Sequence, residues 1–169
     1  ESRHAELLER AEAVAPSLSV GPGIERTEFG ANMGAMVSDA QRDRAVSMVA
    51  AAQEQNASLV SGGHALNSAG AFMEPTVLSV TPDMDIAREE VFGPVLSVMP
   101  FRSDAEAIEI ANGTDFGLVA GIFTADLDRA TSAARALRAG QVFVNEWYAG
   151  GVETPFGGYG KSGYGREKG

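Results

Sequence analysis

The apolar residues Leu7, Leu8, Ala11, Val14 and Ala15 recur at the spacing of one helix face. They predict a helix over 5–15 that stops near Pro16. A loop rich in glycine and proline follows at Gly21-Pro22-Gly23. Ser38, with Gln41 three residues on, has the pattern of a capping box. Val46, Val49, Ala50 and Gln53 carry that second helix to about Asn56. Leu59-Val60 reads as a short strand closed by Gly62-Gly63, and a loop spans 67–70. Strands are predicted at 75–78 and 95–101. Ser103 and Glu106 open a third capped helix, reaching about Ala111. Another strand is predicted at 118–123. Asp126 opens a fourth helix, with Leu127, Ala130, Ala134 and Leu137 on one face and Gly140 just past its end. The last predicted strand runs over 141–145, with Val142-Phe143-Val144 at its centre.

Strands alternating with helices of this length predict the α/β class, a largely parallel sheet with helices on both faces. There is no internal repeat and no low-complexity segment. The one shift in composition is the glycine-rich tail that begins at Gly150-Gly151.

With 169 residues, 44% of them hydrophobic, the chain can bury the core of one domain. No apolar run approaches the length of a membrane span. A net charge of −10 opposes binding to nucleic acid, which depends on Lys and Arg neutralising phosphates. The chain has no cysteine, so it carries no disulfide, no thiolate metal site and no cysteine nucleophile of its own. Its two histidines, His4 and His64, stand in no metal-ligand spacing, and no metal is expected.

The tail holds two phosphate-binding look-alikes. Residues 158–163 read G-x-G-x-x-G, and Gly160-Lys161-Ser162 resembles the end of a P-loop. A dinucleotide fingerprint opens directly from a strand. Gly158 lies 13 residues past Asn145, the end of the last predicted strand. A P-loop needs a glycine five residues before Gly160, where this chain has Pro155. Both readings fail, and the glycines are assigned to tight backbone turns.

A set of blocks in one order carries a more specific signal. Pro75-Thr76-Val77 precedes Glu89-Glu90-Val91-Phe92-Gly93-Pro94. Ala111-Asn112-Gly113-Thr114-Asp115-Phe116-Gly117-Leu118 follows. Val144-Asn145, Pro155-Phe156-Gly157-Gly158 and Ser162-Gly163-Tyr164-Gly165-Arg166-Glu167 close the series. Over essentially its whole length the chain resembles the C-terminal part of an NAD(P)-dependent aldehyde dehydrogenase.

That resemblance implies an oxidoreductase that converts aldehydes to carboxylic acids with NAD or NADP, through a cysteine thiohemiacetal and thioester. It implies that Glu90 binds the nicotinamide-ribose hydroxyls. A carboxylate suits this, since it can accept from two neighbouring hydroxyls. Phe92 would pack near the nicotinamide ring. Read from the residues alone, Glu90 is a solvated charge and Phe92 a core aromatic. Residues 146–169 would form a glycine-rich loop at the substrate mouth, with Trp147, Tyr148, Gly150 and Phe156 as pocket residues. Many relatives carry an aromatic at the position of Gly150, whose absence here would open the pocket or move its wall. Trp147 and Phe156 read equally well as packed loop aromatics. Asn112-Gly113 is assigned a structural turn.

By the same resemblance, residues 1–169 are a partial catalytic domain. The nucleophile, the general base and the cofactor-binding domain lie upstream, so no residue here is assigned a catalytic role and the chain alone is expected to be inactive. A small aldehyde is the expected substrate, a homo-oligomer the expected assembly and the cytoplasm the expected location. The alternative is a non-catalytic interaction module or pseudo-enzyme that binds full-length subunits.

Overall fold

A computed structural model of the chain describes residues 3–23, 33–147 and 150–169. They belong to two compact units, Glu1–Pro100 and Phe101–Gly169.

In the first unit, helix α1 (His4–Val14) runs into a 3-10 turn at Ala15–Ser17, as Pro16 requires. Helix α2 spans Asp39–Glu54. Strands β1 (Ser58–Ser61), β2 (Thr76–Ser79) and β3 (Val95–Val98) form one sheet in the order β1-β2-β3. A short helix α3 (Asp85–Arg88), which the apolar spacing did not reveal, lies between β2 and β3. β2 pairs antiparallel with β1 and parallel with β3, Thr76 facing Val95 and Ser79 facing Val98.

β2 is central and both its faces are covered. Successive strand side chains point to opposite faces. Val77 therefore packs with Ala15 and Val98, beside Leu8 and Ala11 of α1. Leu78, fully buried, packs on the other side with Ala45, Val49 and Ala52 of α2. Those three alanine and valine positions are spaced i, i+4, i+7, one helix stripe. Burying a side chain the size of Val49 or Leu78 is worth about 1.5–3 kcal/mol, and an alanine methyl about 0.8 kcal/mol. The expected helices on both faces are thus present around this sheet. Thr76 is a polar residue inside it, and its hydroxyl is satisfied twice: it accepts from the Gly63 N–H at 2.9 Å and donates to the Glu74 carbonyl at 2.8 Å.

In the second unit, helix α4 (Asp104–Asn112) leads to β4 (Phe116–Gly117) and β5 (Val119–Ile122). Helix α5 (Leu127–Ala136) crosses over to β6 (Gln141–Val144), and β7 (Tyr159–Gly160) lies in the tail. β5 and β6 pair in parallel, Val119 facing Gln141 and Ile122 facing Val144. β4 and β7 pair antiparallel.

Side-chain caps start three helices where the sequence placed them. Ser38, Ser103 and Asp126 accept from the backbone N–H of Gln41, Glu106 and Arg129. Gly140 departs from expectation. α5 ends at Ala136, and Leu137 already has extended backbone. Gly140 is needed for a different reason: a Cβ there would overlap the Gly157 carbonyl oxygen, so it permits the tail to press against the start of β6. Asn112 acts structurally, as expected. Its side chain donates to the Ala136 carbonyl and accepts from the Arg138 N–H, tying the ends of α4 and α5 together.

Ser38→Ala removes one acceptor from the first turn of α2. It should destabilise the chain by about 1 kcal/mol, read as a lower urea midpoint with an unchanged slope.

Candidate functional site

In the first unit, the run Glu89–Pro94 links α3 to β3. Its backbone groups are closely accounted for. The Glu89 N–H donates to the Asp85 carbonyl, the Gly93 carbonyl accepts from Val95, and the Pro94 carbonyl accepts from Thr76. The carbonyls between them turn to α2. Gln41 Nε2 donates to the carbonyls of Val91 at 2.9 Å and Phe92 at 3.1 Å. The Arg44 guanidinium donates to the carbonyls of Glu90 at 3.2 Å and Val91 at 3.1 Å. Arg44 also lies 3.8 Å from the Glu89 carboxylate.

Side chains divide accordingly. Val91 is buried in the α2 cluster. Glu90 is exposed, and Phe92 keeps 70% of its surface exposed. Phe92 is therefore not the core aromatic that the residue alone would predict. Its backbone is left-handed, with φ of 57°. That conformation is strained for a residue with a Cβ, and such residues cluster at functional sites. The loop thus presents a carboxylate and an aromatic ring outward, with its carbonyls held behind.

In the second unit, Trp147 follows β6. Its ring centroid lies 6.2 Å from that of Phe143, tilted at 57°. The same indole lies across Gly121 of β5, where a Cβ would stand 2.9 Å from Cζ3. Asn145 sets this segment's departure from the sheet. Its backbone is left-handed at φ 56°, and its side chain makes two 2.8 Å bonds to the Thr124 backbone. Gly150 and Phe156 line one small cavity with Gln141, Phe143, Gly151 and Lys168. Its volume is about 10 Å³, room for one water at most. Beside Gly150 the nearest atom to a notional Cβ is Gln141 Nε2 at 3.8 Å, an ordinary van der Waals contact, so a methyl would fit there without a clash. The Lys168 ammonium lies 5.9 Å from the centre of the Phe156 ring. Tyr148 lies outside the described residues.

The tail is more ordered in its pairing than a turn-rich loop. Phe156 and Glu167 exchange backbone bonds of 2.7 and 2.8 Å. Lys161 Nζ pairs with Asp115 at 2.7 Å, and its N–H donates to the Asp115 carbonyl. The Lys161 hydrogen bond and charge hold the Asp115 carboxyl below the usual carboxylate range. Ser162 Oγ accepts from the Gly117 N–H at 3.1 Å. The side chains of the G-K-S look-alike are thus engaged, Lys161 with Asp115 and Ser162 with β4. A cleft of about 700 Å³ beside β4 and β7 is lined by Asp115, Arg138 and Tyr159, among others. None of the predicted site residues that are described lines it.

The structure groups Glu90 with Phe92, and Gly150 with Phe156. It shows two residues the sequence did not assign to a site. Gln41 was read only as a cap partner, and Arg44 was not singled out. The available signal was their i, i+3 spacing, which puts both on one helix face. Among the described residues, no group of three or more His, Cys, Asp or Glu is placed to hold a metal. No helix among them is long and apolar enough to cross a membrane.

The aldehyde dehydrogenase family model matches residues 1–169. A betaine aldehyde dehydrogenase of Sinorhizobium fredii is 45% identical over 168 residues, covering 96% of this chain and 33% of the relative. Aldehyde dehydrogenase, cytosolic 1, of Elephantulus edwardii is 45% identical over 141 residues, covering 83% of this chain and 28% of the relative. Among solved structures, the NAD+ complex of an aldehyde dehydrogenase from Bacillus cereus superposes with a TM-score of 0.94 at 35% identity. That match covers all of this chain and 34% of the Bacillus chain. The chain belongs to the aldehyde dehydrogenase family, and its α/β fold is the one those enzymes share over this region. It spans about a third of the length of the curated relatives it matches.

Trp147 is the only tryptophan in the chain, so it reports on its own setting. Gly121→Ala should lift the indole from β5, changing its emission wavelength and the near-ultraviolet circular dichroism while far-ultraviolet signal is kept. Unchanged spectra would show that the indole does not rest there in solution.

Proposed function

We propose that this chain is part of the catalytic domain of an enzyme that oxidises aldehydes to carboxylic acids with NAD or NADP. The observation that carries this is the Glu89–Pro94 loop. Its carbonyls are bound to α2, and Glu90 and Phe92 project outward. A carboxylate accepts well from vicinal ribose hydroxyls, and an exposed ring offers an apolar face to a nicotinamide. The residues present therefore fit a nicotinamide nucleotide. When bound, that cofactor supplies the hydride acceptor. Glu90 would fix the ribose, and Phe92 would limit the tilt of the ring beside it. The Bacillus relative whose complex with NAD+ has been solved supports this choice.

Trp147, Tyr148, Gly150 and Phe156 belong to the substrate mouth in this reading, within a loop over 146–169. Gly150 puts no side chain of its own into the mouth, so specificity falls to the neighbouring aromatics. The nucleophile comes from outside these 169 residues, since the chain has no cysteine, and the family resemblance places the general base outside them too. Exposed apolar residues of the second unit agree with a piece of a larger subunit. Phe123 and Leu127 are 70% and 79% exposed. A groove of about 350 Å³ is lined by Ile108, Ile122 and Phe123. The same reading carries a homo-oligomeric assembly and a cytoplasmic location, the latter supported by the cytosolic relative.

The 169 residues alone should give no NAD or NADP reduction with any aldehyde, because no thiolate is available to attack the carbonyl. Turnover by the isolated chain, followed at the absorbance of the reduced cofactor, would sink that expectation. In the full-length enzyme, Glu90→Gln keeps the shape but weakens acceptance from the ribose. Loss of one charge-assisted pair of hydrogen bonds should lower the hydride-transfer rate about ten-fold or more, with a smaller change in aldehyde KM. An unchanged single-turnover rate would remove Glu90 from the cofactor site.

A further inference from the structure

Building on the reading of Glu90 and Phe92 as cofactor contacts, we infer that Gln41 and Arg44 are positioning residues: they fix the backbone of residues 90–92 and so aim those two side chains.

The geometry is specific. One amide nitrogen, Gln41 Nε2, serves the carbonyls on both sides of the Phe92 nitrogen and Cα, those of Val91 and of Phe92 itself. In extended chain, successive carbonyls point in opposite directions. They converge on one donor here because Phe92 is left-handed, with φ of 57°. The Gln41 bonds and the Phe92 backbone conformation are therefore one feature seen from two sides. Left-handed backbone costs an aromatic residue about 1–2 kcal/mol and needs its surroundings to enforce it. Arg44 extends the hold by one residue, bonding the carbonyls of Glu90 and Val91. Val91 is the residue both side chains reach, and it is the one buried against α2. With its carbonyls drawn to the helix, the loop has its neighbours' side chains left on the open side.

Neither residue needs to touch the reacting atoms for this role. Their placement comes from α2, whose buried stripe through Ala45 and Val49 packs on β2. Gln41 continues that stripe one turn before Ala45 and Arg44 directly precedes Ala45, so the helix that covers the sheet also holds the loop.

The test uses the full-length enzyme. Gln41→Glu keeps the size but presents a carboxylate to two carbonyls and removes the donor. It should lower the single-turnover hydride-transfer rate ten- to hundred-fold, as expected when reacting groups are misplaced by roughly 1 Å. Aldehyde KM should stay within about two-fold. The kinetic isotope effect with a deuterated aldehyde should rise, and the melting temperature of the cofactor-free enzyme should fall by only a few degrees. Arg44→Lys, which retains a donor, should recover rate relative to Arg44→Ala. An unchanged hydride-transfer rate in Gln41→Glu would overturn the inference. A crystal structure of Gln41→Glu reads the same point without activity: Phe92 leaving the left-handed region supports it, and Phe92 unmoved overturns it. If the unmutated enzyme oxidises no aldehyde, the proposed function fails. The inference is then decided by that structure alone.

Discussion

β2 must bury both of its faces, and much of the first unit follows from that constraint. Val77 and Leu78 are adjacent, yet each belongs to a different apolar cluster. A strand placed so requires cover on two sides, and α1 and α2 provide it. α2 cannot shift without uncovering Leu78, since Ala45, Val49 and Ala52 are all nearly or fully buried against that side. The small size of two of those residues brings the helix close. Its first two turns then stand beside the Glu89–Pro94 loop, which leads into the neighbouring strand β3. A packing requirement in the sheet thereby becomes a geometric requirement in the loop.

The second unit solves a related problem with less apolar burial. Ala130 and Phe143 are the buried hydrophobic residues among its described positions. Order there comes instead from hydrogen bonds at chain crossings: Asn112 to the end of α5, Asn145 to Thr124, and the Phe156–Glu167 bridge in the tail. Asn145 and Phe92 share a left-handed backbone just beyond or just before a parallel strand. Both mark the points where the chain must leave a straight path and direct a side chain elsewhere. Gly140 and Gly121 complete this unit by allowing contacts that any Cβ would block.

The elements were legible in the sequence wherever periodicity and a cap coincided. Ser38, Ser103 and Asp126 mark helix starts because a short polar side chain there satisfies an otherwise orphan N–H, and this is a local effect. Strand ends were less legible. β3 ends at Val98 although apolar character continues to Phe101, because Pro100 has no N–H to offer a ladder. α3 has only four residues, too few for a helical period to show. β4 and β7 are two-residue strands whose pairing is long-range, so glycine content was all that could be read locally. At the site, the family blocks marked Glu90 and Phe92 as a pair. The left-handed Phe92 and the hold from α2 were not readable, because Gln41 and Phe92 lie 51 residues apart. Gly140 was misplaced for the same reason: its neighbour Gly157 is distant in sequence.

Magnitudes decide which contact holds the loop. Arg44 approaches Glu89 at 3.8 Å with both side chains about half or more exposed. A pair of that kind contributes about 0–1 kcal/mol and is weakened by salt. The bonds from the same guanidinium to the carbonyls of Glu90 and Val91 are charge-assisted, and hydrogen bonds to charged groups contribute about 1.5–3 kcal/mol. Gln41 adds two neutral bonds, about 0.5–1.5 kcal/mol each, of which one reaches a partly buried carbonyl. Their sum exceeds the cost of about 1–2 kcal/mol for a left-handed Phe92. The ion pair by itself would not. The loop's shape is therefore a matter of directed hydrogen bonds, two of them charge-assisted, rather than of the Arg44–Glu89 ion pair, and it should persist at ionic strengths that screen that pair. Directionality also explains why the strain falls on Phe92: it is the residue whose two flanking carbonyls must meet at one nitrogen.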